Sequence, residues 1–250
     1  MKIDDDVFIR YITRMLKCGV LADGELRRTD DGTPQGSVCS PILSNIFAHY
    51  AIDLWFNDEV VPRTNCGIFI VRYCDDLVIG CKGSDSERIL NSLKERLKRF
   101  SLCLNTEKTK VVKFNRFEGA IFNQGIFDFL GFTFYIAKSR KGWATVKLKT
   151  SKKKFRAKLS NVKKWCEENR HKGKILEIWT VFISKLRGHI QYYGVSHNLF
   201  YVERFLYEAK RIFFKWMNRR SQKKSLNWDQ FQLFLDRFPM PKARVCHRLF

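Results

Sequence analysis

The sequence predicts an α+β fold in two parts: short antiparallel strands with packed helices over residues 1–150, then helices alone over 151–250. Three observations carry this. Up to Thr150, runs rich in β-branched and aromatic residues occur in pairs set apart by turn signals. From Ser151 onward, apolar residues recur only at helical spacing. The charge shifts in the same region, where Lys138–Lys224 holds 25 basic and five acidic residues while the rest holds 22 and 20.

The elements follow in order. Val7–Cys18 has apolar residues at helical spacing, and Gly19 stops it. Asp23-Gly24 marks a tight turn between two short strands. Asp30-Asp31-Gly32 closes that hairpin, and Gly32-Thr33-Pro34-Gln35-Gly36 forms a rigid, glycine-flanked loop. Ser40-Pro41 starts a helix expected to reach about Asp58. Gly67–Cys81 holds two apolar runs on either side of Asp75-Asp76, which predicts a hairpin with both acids at its turn. Ser84-Asp85-Ser86-Glu87 reads as a capping box for a helix to about Phe100. The loop Asn105–Lys108 precedes a short strand ending near Phe114. Phe127–Ala137 reads as one strand, and Trp143–Lys149 pairs with it across Lys141-Gly142. The later helices are expected at about 151–168, 174–193, 199–220 and 227–237.

Composition narrows the function. Hydrophobic residues make up 45% of the 250, enough for real cores, which excludes a disordered tail. No apolar run is long enough to span a membrane. The start MKIDDDVF has no apolar signal region. The formal net charge is +22, and its concentration in one stretch points to a polyanionic partner, nucleic acid first. The eight cysteines include no CxxC pair, which argues against zinc. Cys39, Cys74 and Cys103 lie in apolar context and read as small buried hydrophobes. A reducing, intracellular location, the cytoplasm, fits this cysteine usage.

The chemistry centres on Asp75 and Asp76. Two adjacent acids at the tip of an apolar hairpin need a cation or a shared proton. A regular strand would aim them to opposite faces, so the turn must redirect them. A divalent ion held between them and a nucleoside triphosphate would satisfy the charge. A plain solvated turn is the other reading of the pair alone.

Tyr73-Cys74-Asp75-Asp76, between Val71-Arg72 and Leu77-Val78, resembles the YxDD signature of reverse transcriptases. Further blocks follow the family's order. Gly32–Ser37 with Ser40–Ile46 is similar to the loop and helix before the Asp pair. Leu104–Lys110 is similar to the block after it, and Phe127–Phe132 to the primer-grip strand. Leu186-Arg187-Gly188-His189-Ile190-Gln191-Tyr192-Tyr193-Gly194 resembles the thumb, or domain X, of group II intron-encoded reverse transcriptase/maturases. The resemblance makes residues 1–150 a partial palm and 151–250 the helical thumb.

The same resemblance implies roles. Asp75 and Asp76 would ligate the catalytic Mg²⁺, two ions in an intact family member. Pro34, Gln35, Gly36 and Tyr73 would line the incoming deoxynucleoside triphosphate. Lys108 would sit near the triphosphate, as a catalytic residue. Phe129, Leu130 and Gly131 would support the primer end. Lys147, Lys149, Lys152, Lys153, Lys154, Arg156, Lys158 and Arg187 would meet phosphates of an RNA template, a template–primer duplex or structured intron RNA. Most of Trp165, Trp179, Tyr192, Tyr193 and Trp216 are expected in the helical core, and His189 and His197 to be structural or RNA-facing.

One departure qualifies the resemblance. The family's palm has a further metal-binding Asp on a strand before the helix at 7–18. Here only Asp4, Asp5 and Asp6 are nearby, at the helix start, where they suit capping. The expectation is therefore an RNA-directed DNA polymerase of group II intron type, in an N-terminally truncated copy. The alternatives are a non-catalytic, RNA-binding maturase-like protein, or one half of a split enzyme whose fingers come from a separate chain.

Overall fold

The structure, a computed structural model, describes residues 4–22, 25–27, 39–64, 67–114, 125–139, 141–220 and 226–249. The chain forms two compact units, Met1–Val111 and Val112–Phe250.

In the first unit, α1 (Asp6–Lys17) starts on Asp5. The Asp5 carboxylate accepts from the Val7 and Phe8 amides at 2.9 and 3.0 Å, filling an N-cap role. No side chain of α1 is buried among the described residues. Strands β1 (Val20–Ala22) and β2 (Glu25–Arg27) pair antiparallel. Helix α2 (Ser40–Ala48) carries Pro41 in its first turn.

A regular helix does not continue to Asp58. Two π-helical turns, His49–Asp53 and Phe56–Val60, take over, and a 3₁₀ turn, Val61–Arg63, ends the run. The wider turn suits the sequence. Ala51, Trp55, Phe56 and Val60 recur four to five residues apart, and all are buried.

Hairpin β3 (Phe69–Tyr73) and β4 (Asp76–Gly80) packs on this segment and on α3 (Ser86–Arg99). Helix α3 contributes Ile89, Leu93 and Leu97, and the hairpin contributes Ile68, Ile70, Leu77 and Ile79. The Ser84–Glu87 capping box does not form. Residues 83–85 make a 3₁₀ turn, and the Ser86 hydroxyl donates to the Gly83 carbonyl at 2.8 Å. The short strand expected before Phe114 does not form: residues 109–114 have no regular secondary structure.

The second unit begins with an antiparallel sheet in the order β5 (Phe127–Phe129), β6 (Phe132–Lys138), β7 (Ala144–Thr150). The single strand expected over 127–137 is thus two strands. Leu130 and Gly131, at φ 48° and 80°, form a tight turn between them.

Four helices follow: α4 (Lys152–Asn169), α5 (Ile175–Tyr193), α6 (Leu199–Met217) and α7 (Trp228–Arg237). Their boundaries lie within three residues of the sequence expectation. The core is aromatic: Trp179 and Phe213 touch each other, and each touches both Phe182 and Phe231. Asn198, fully buried, ties sheet to helices. Its Oδ1 accepts from the Thr150 amide at 2.7 Å, and its Nδ2 donates to the Tyr193 carbonyl at 2.8 Å. Among the described residues, no helix is long and apolar enough to cross a membrane.

The cysteine expectation needs correction. Cys74 and Cys103 are exposed and Cys39 is half-buried. Cys74 lies at a hairpin tip and Cys103 in a loop, so their apolar sequence neighbours do not cover them. Cys166 is the fully buried one among the described cysteines.

Candidate functional site

The hairpin register pairs Ile70 with Ile79, Val71 with Val78, Arg72 with Leu77 and Tyr73 with Asp76. Directly opposed residues share a face. The Ile70/Ile79 and Arg72/Leu77 pairs face the core, and Val71 and Tyr73 are exposed on the other side. Cys74 and Asp75 form the two-residue turn. The turn breaks the strand alternation: Asp75 is at the tip, and Asp76 opens β4 beside Tyr73.

Both carboxylates are exposed, and neither takes a hydrogen bond or ion pair from another described residue. Their acceptor capacity is open to a hard cation, which suits Mg²⁺ and its taste for one or two carboxylates plus phosphate oxygens. Among the described residues, no third His, Cys, Asp or Glu completes a cluster with them. Of the three acids near the start of α1, Asp5 is engaged as the helix cap.

Behind the turn lies a network that the sequence reading missed. Arg72 donates through Nε and Nη2 to the two oxygens of Asp53, at 2.7 and 2.6 Å. Its Nη1 donates to Asn45 Oδ1 and to the Cys74 carbonyl, each at 3.0 Å. The Arg72 hydrogen bonds hold the Asp53 carboxyl below its usual range, and Asp53 in turn raises the guanidinium pKa. His49 Nδ1 lies 3.3 Å from the same carboxylate. The π-helical turn carries both His49 and Asp53.

The other expected residues are distributed as follows. Lys108 is exposed on the loop after α3, where its amide donates to Asn105 Oδ1 at 3.1 Å. It forms no ion pair with Asp75 or Asp76. Pro34, Gln35 and Gly36 lie outside the described residues.

Phe129, Leu130 and Gly131 belong to the second unit, in the β5–β6 turn. Helix α5 fixes that turn. The Tyr192 hydroxyl donates to the Leu130 carbonyl at 2.8 Å, and its ring stacks on Phe132 at 5.8 Å. A Cβ on Gly131 would lie 3.0 Å from the Tyr193 hydroxyl. Beside the turn is an apolar cleft of about 720 Å³, lined by Phe129, Leu130, Phe134, Tyr192 and Leu249 among others.

Lys152, Lys153, Lys154, Arg156 and Lys158 are exposed along the first turns of α4, and Arg187 is exposed on α5. Lys147 and Lys149 are half-buried on β7. Lys149 Nζ rests 4.8 Å over the Tyr135 ring, and Lys147 Nζ donates to the Lys138 carbonyl at 2.9 Å. Three lysines at a helix start oppose the helix dipole, a placement that does not favour the helix itself. Trp179, Tyr193 and Trp216 are core residues. Tyr192 is half exposed although its hydroxyl is bonded.

The sequence matches the family described as reverse transcriptase (RNA-dependent DNA polymerase) over residues 1–134, more than half of the chain. This chain belongs to the reverse transcriptase family. Among curated relatives it is 24% identical to group II intron-encoded protein LtrA of Lactococcus lactis subsp. cremoris, across 83% of this chain and 47% of that protein. It is 27% identical to protein YkfC of Escherichia coli K12, across 48% of this chain and 39% of that one. A 48-residue segment is 46% identical to an uncharacterized 91 kDa protein in the cob intron of Schizosaccharomyces pombe. The chain spans less than half the length of the curated relatives it matches.

Proposed function

We propose that the protein acts as an RNA-directed DNA polymerase of group II intron type, with maturase-like binding of intron RNA. One observation carries the reading. In a chain of the reverse transcriptase family, two adjacent carboxylates stand exposed at the tip of an apolar hairpin, with no partner among the described residues.

Asp75 and Asp76 would hold Mg²⁺. Bound there, the metal supplies charge neutralisation for the attacking primer oxygen and the departing pyrophosphate. The chain's own residues do the rest. Tyr73, on the same face as Asp76, lines the deoxynucleoside triphosphate together with Pro34, Gln35 and Gly36. Lys108 offers a mobile cation to its phosphates. The Leu130-Gly131 turn, held by Tyr192, presents Phe129 to the primer end. The lysines of β7 and α4, with Arg187, bind phosphates of the template–primer duplex and of structured intron RNA. In this reading residues 1–150 are palm and 151–250 thumb. The similarity to a group II intron-encoded protein supports the intron assignment.

The test is extension of a DNA primer on an RNA template with Mg²⁺ and deoxynucleotides, with template binding measured on the same preparations. Asp75→Asn and Asp76→Asn are each expected to cut extension by at least about 100-fold, with binding intact. Tight, salt-sensitive binding with no extension by any form would favour the non-catalytic maturase-like reading. Extension recovered only on adding a chain that carries fingers would favour a split enzyme.

A further inference from the structure

We infer that Arg72 is a positioning residue for the metal-binding turn: its guanidinium grips the helix behind the hairpin and holds the Cys74 carbonyl, which sets where Asp75 and Asp76 point. The inference rests on the proposed metal role of that pair.

The geometry has three parts. First, four of the five guanidinium donor hydrogens are engaged, on three separate pieces of chain. Two go to Asp53 on the π-helical turn, one to Asn45 on α2 and one to the Cys74 carbonyl. The side chain is only 12% exposed and its two bonds to Asp53 are partly buried, while those to Asn45 and the Cys74 carbonyl lie at the surface. Second, the grip acts on the backbone between Tyr73 and Asp75, immediately before the first carboxylate. The turn has two residues, so a shift of the Cys74 carbonyl moves Asp75 directly. Third, Cys74 sits at φ 55°, in the left-handed region that favours glycine. A non-glycine residue stays there only where its surroundings hold it, and the Arg72 bond to its carbonyl does so.

Only a guanidinium can do this. Its planar fork reaches the carboxylate and the carbonyl together, whereas a lysine ammonium is a point charge that reaches one at a time. The π-helical turn matters for the same reason, since it carries Asp53, the anchor of the fork.

The test uses the full chain with Mn²⁺ alone as probe, read by the electron paramagnetic resonance of free Mn²⁺. Amide NMR resonances of Asp75 and Asp76 give a second, metal-free readout. Arg72→Lys is expected to weaken Mn²⁺ binding about tenfold, as supporting partners of metal ligands do. It should also shift the two amide resonances, and Asp53→Asn should do the same. Cys74→Gly added to Arg72→Lys should restore most of the affinity, because glycine adopts the left-handed turn without being held. A general loss of stability from either variant would not be rescued in that way.

Mn²⁺ affinity and turn resonances unchanged in Arg72→Lys would overturn the inference, whatever its melting temperature. No rescue by Cys74→Gly would also count against it. If the unaltered chain shows no binding that depends on Asp75 and Asp76, the metal reading of the pair fails, and with it the metal part of the inference. Shifted amide resonances would still support the hold of Arg72 on the turn, and unshifted ones would remove that too.

Discussion

His189 is a buried ionisable group with an unused nitrogen. Its ring stacks on Phe205 at 3.5 Å, and its Nε2 has no hydrogen-bond partner among the described residues. Burial, then the nearby Lys158 charge, pushes its pKa down from 6.5 to about 4. The folded state therefore keeps it neutral, while the unfolded state binds a proton more readily. Its contribution is complete above pH 6.5 and is lost as pH falls from there toward 4. Urea titrations should show stability falling across that window by up to about 3 kcal/mol, and His189→Phe should flatten the slope. A slope unchanged by the substitution would place the pH dependence elsewhere. Gly194 is a second such position. A Cβ there would collide with the backbone carbonyls of Ile190 and Arg244. Gly194→Ala should cost at least about 2 kcal/mol in the same titrations, because neither carbonyl can step aside. The sequence placed His189 and Gly194 in one motif and read the histidine as structural or RNA-facing. Its burial against Phe205 depends on a partner helix, which no local pattern reveals.

Hairpins and helices were the legible elements. The β-branched runs around Asp75-Asp76 identified the hairpin, and the helical apolar spacing after Ser151 placed all four helices. Three features were not legible, each for a physical reason. The π-helical turns answer to burying Ala51, Trp55, Phe56 and Val60 together, a tertiary demand. The Leu130-Gly131 turn puts a leucine at φ 48°, against its preference, and is held by Tyr192 from 62 residues away. The Arg72 network gathers partners 19 and 27 residues distant. Two predictions belong at this scale. Tyr192→Phe removes the bond to the Leu130 carbonyl; it should leave stability within about 1.5 kcal/mol and weaken primer-end engagement, read as a raised KM for primer. Replacing Lys152, Lys153 and Lys154 by Gln should move two observables in opposite directions. Relieving the helix dipole should raise the melting temperature. Losing three phosphate contacts should lower the salt slope of RNA binding by about 2. A fall in melting temperature with an unchanged slope would mean those lysines serve the fold.

The two compact units are built differently. Among the described residues, the core of Met1–Val111 has eight buried apolar residues and that of Val112–Phe250 has seventeen in its main cluster. The first unit also leaves Val7, Phe8, Tyr11, Phe69 and Tyr73 largely exposed. Calorimetry should therefore resolve two transitions, with the second unit melting higher. One sharp transition would mean the units unfold as one. The charge shift and the family blocks made the polyanion-binding and polymerase readings available from sequence. The handling of the hairpin turn by Arg72 required the structure.

The central claim is that the acids of the Tyr73–Asp76 hairpin carry RNA-templated nucleotide addition. The direct measurement is single-turnover addition of one deoxynucleotide to a primer on an RNA template, across a Mg²⁺ titration, in the unaltered chain, Asp75→Asn and Asp76→Asn. The expected result is addition that saturates with Mg²⁺ and falls at least about 100-fold in each variant, at template affinities within about twofold. Equal rates in all three, or no addition by the unaltered chain while it holds the template firmly, would contradict the claim.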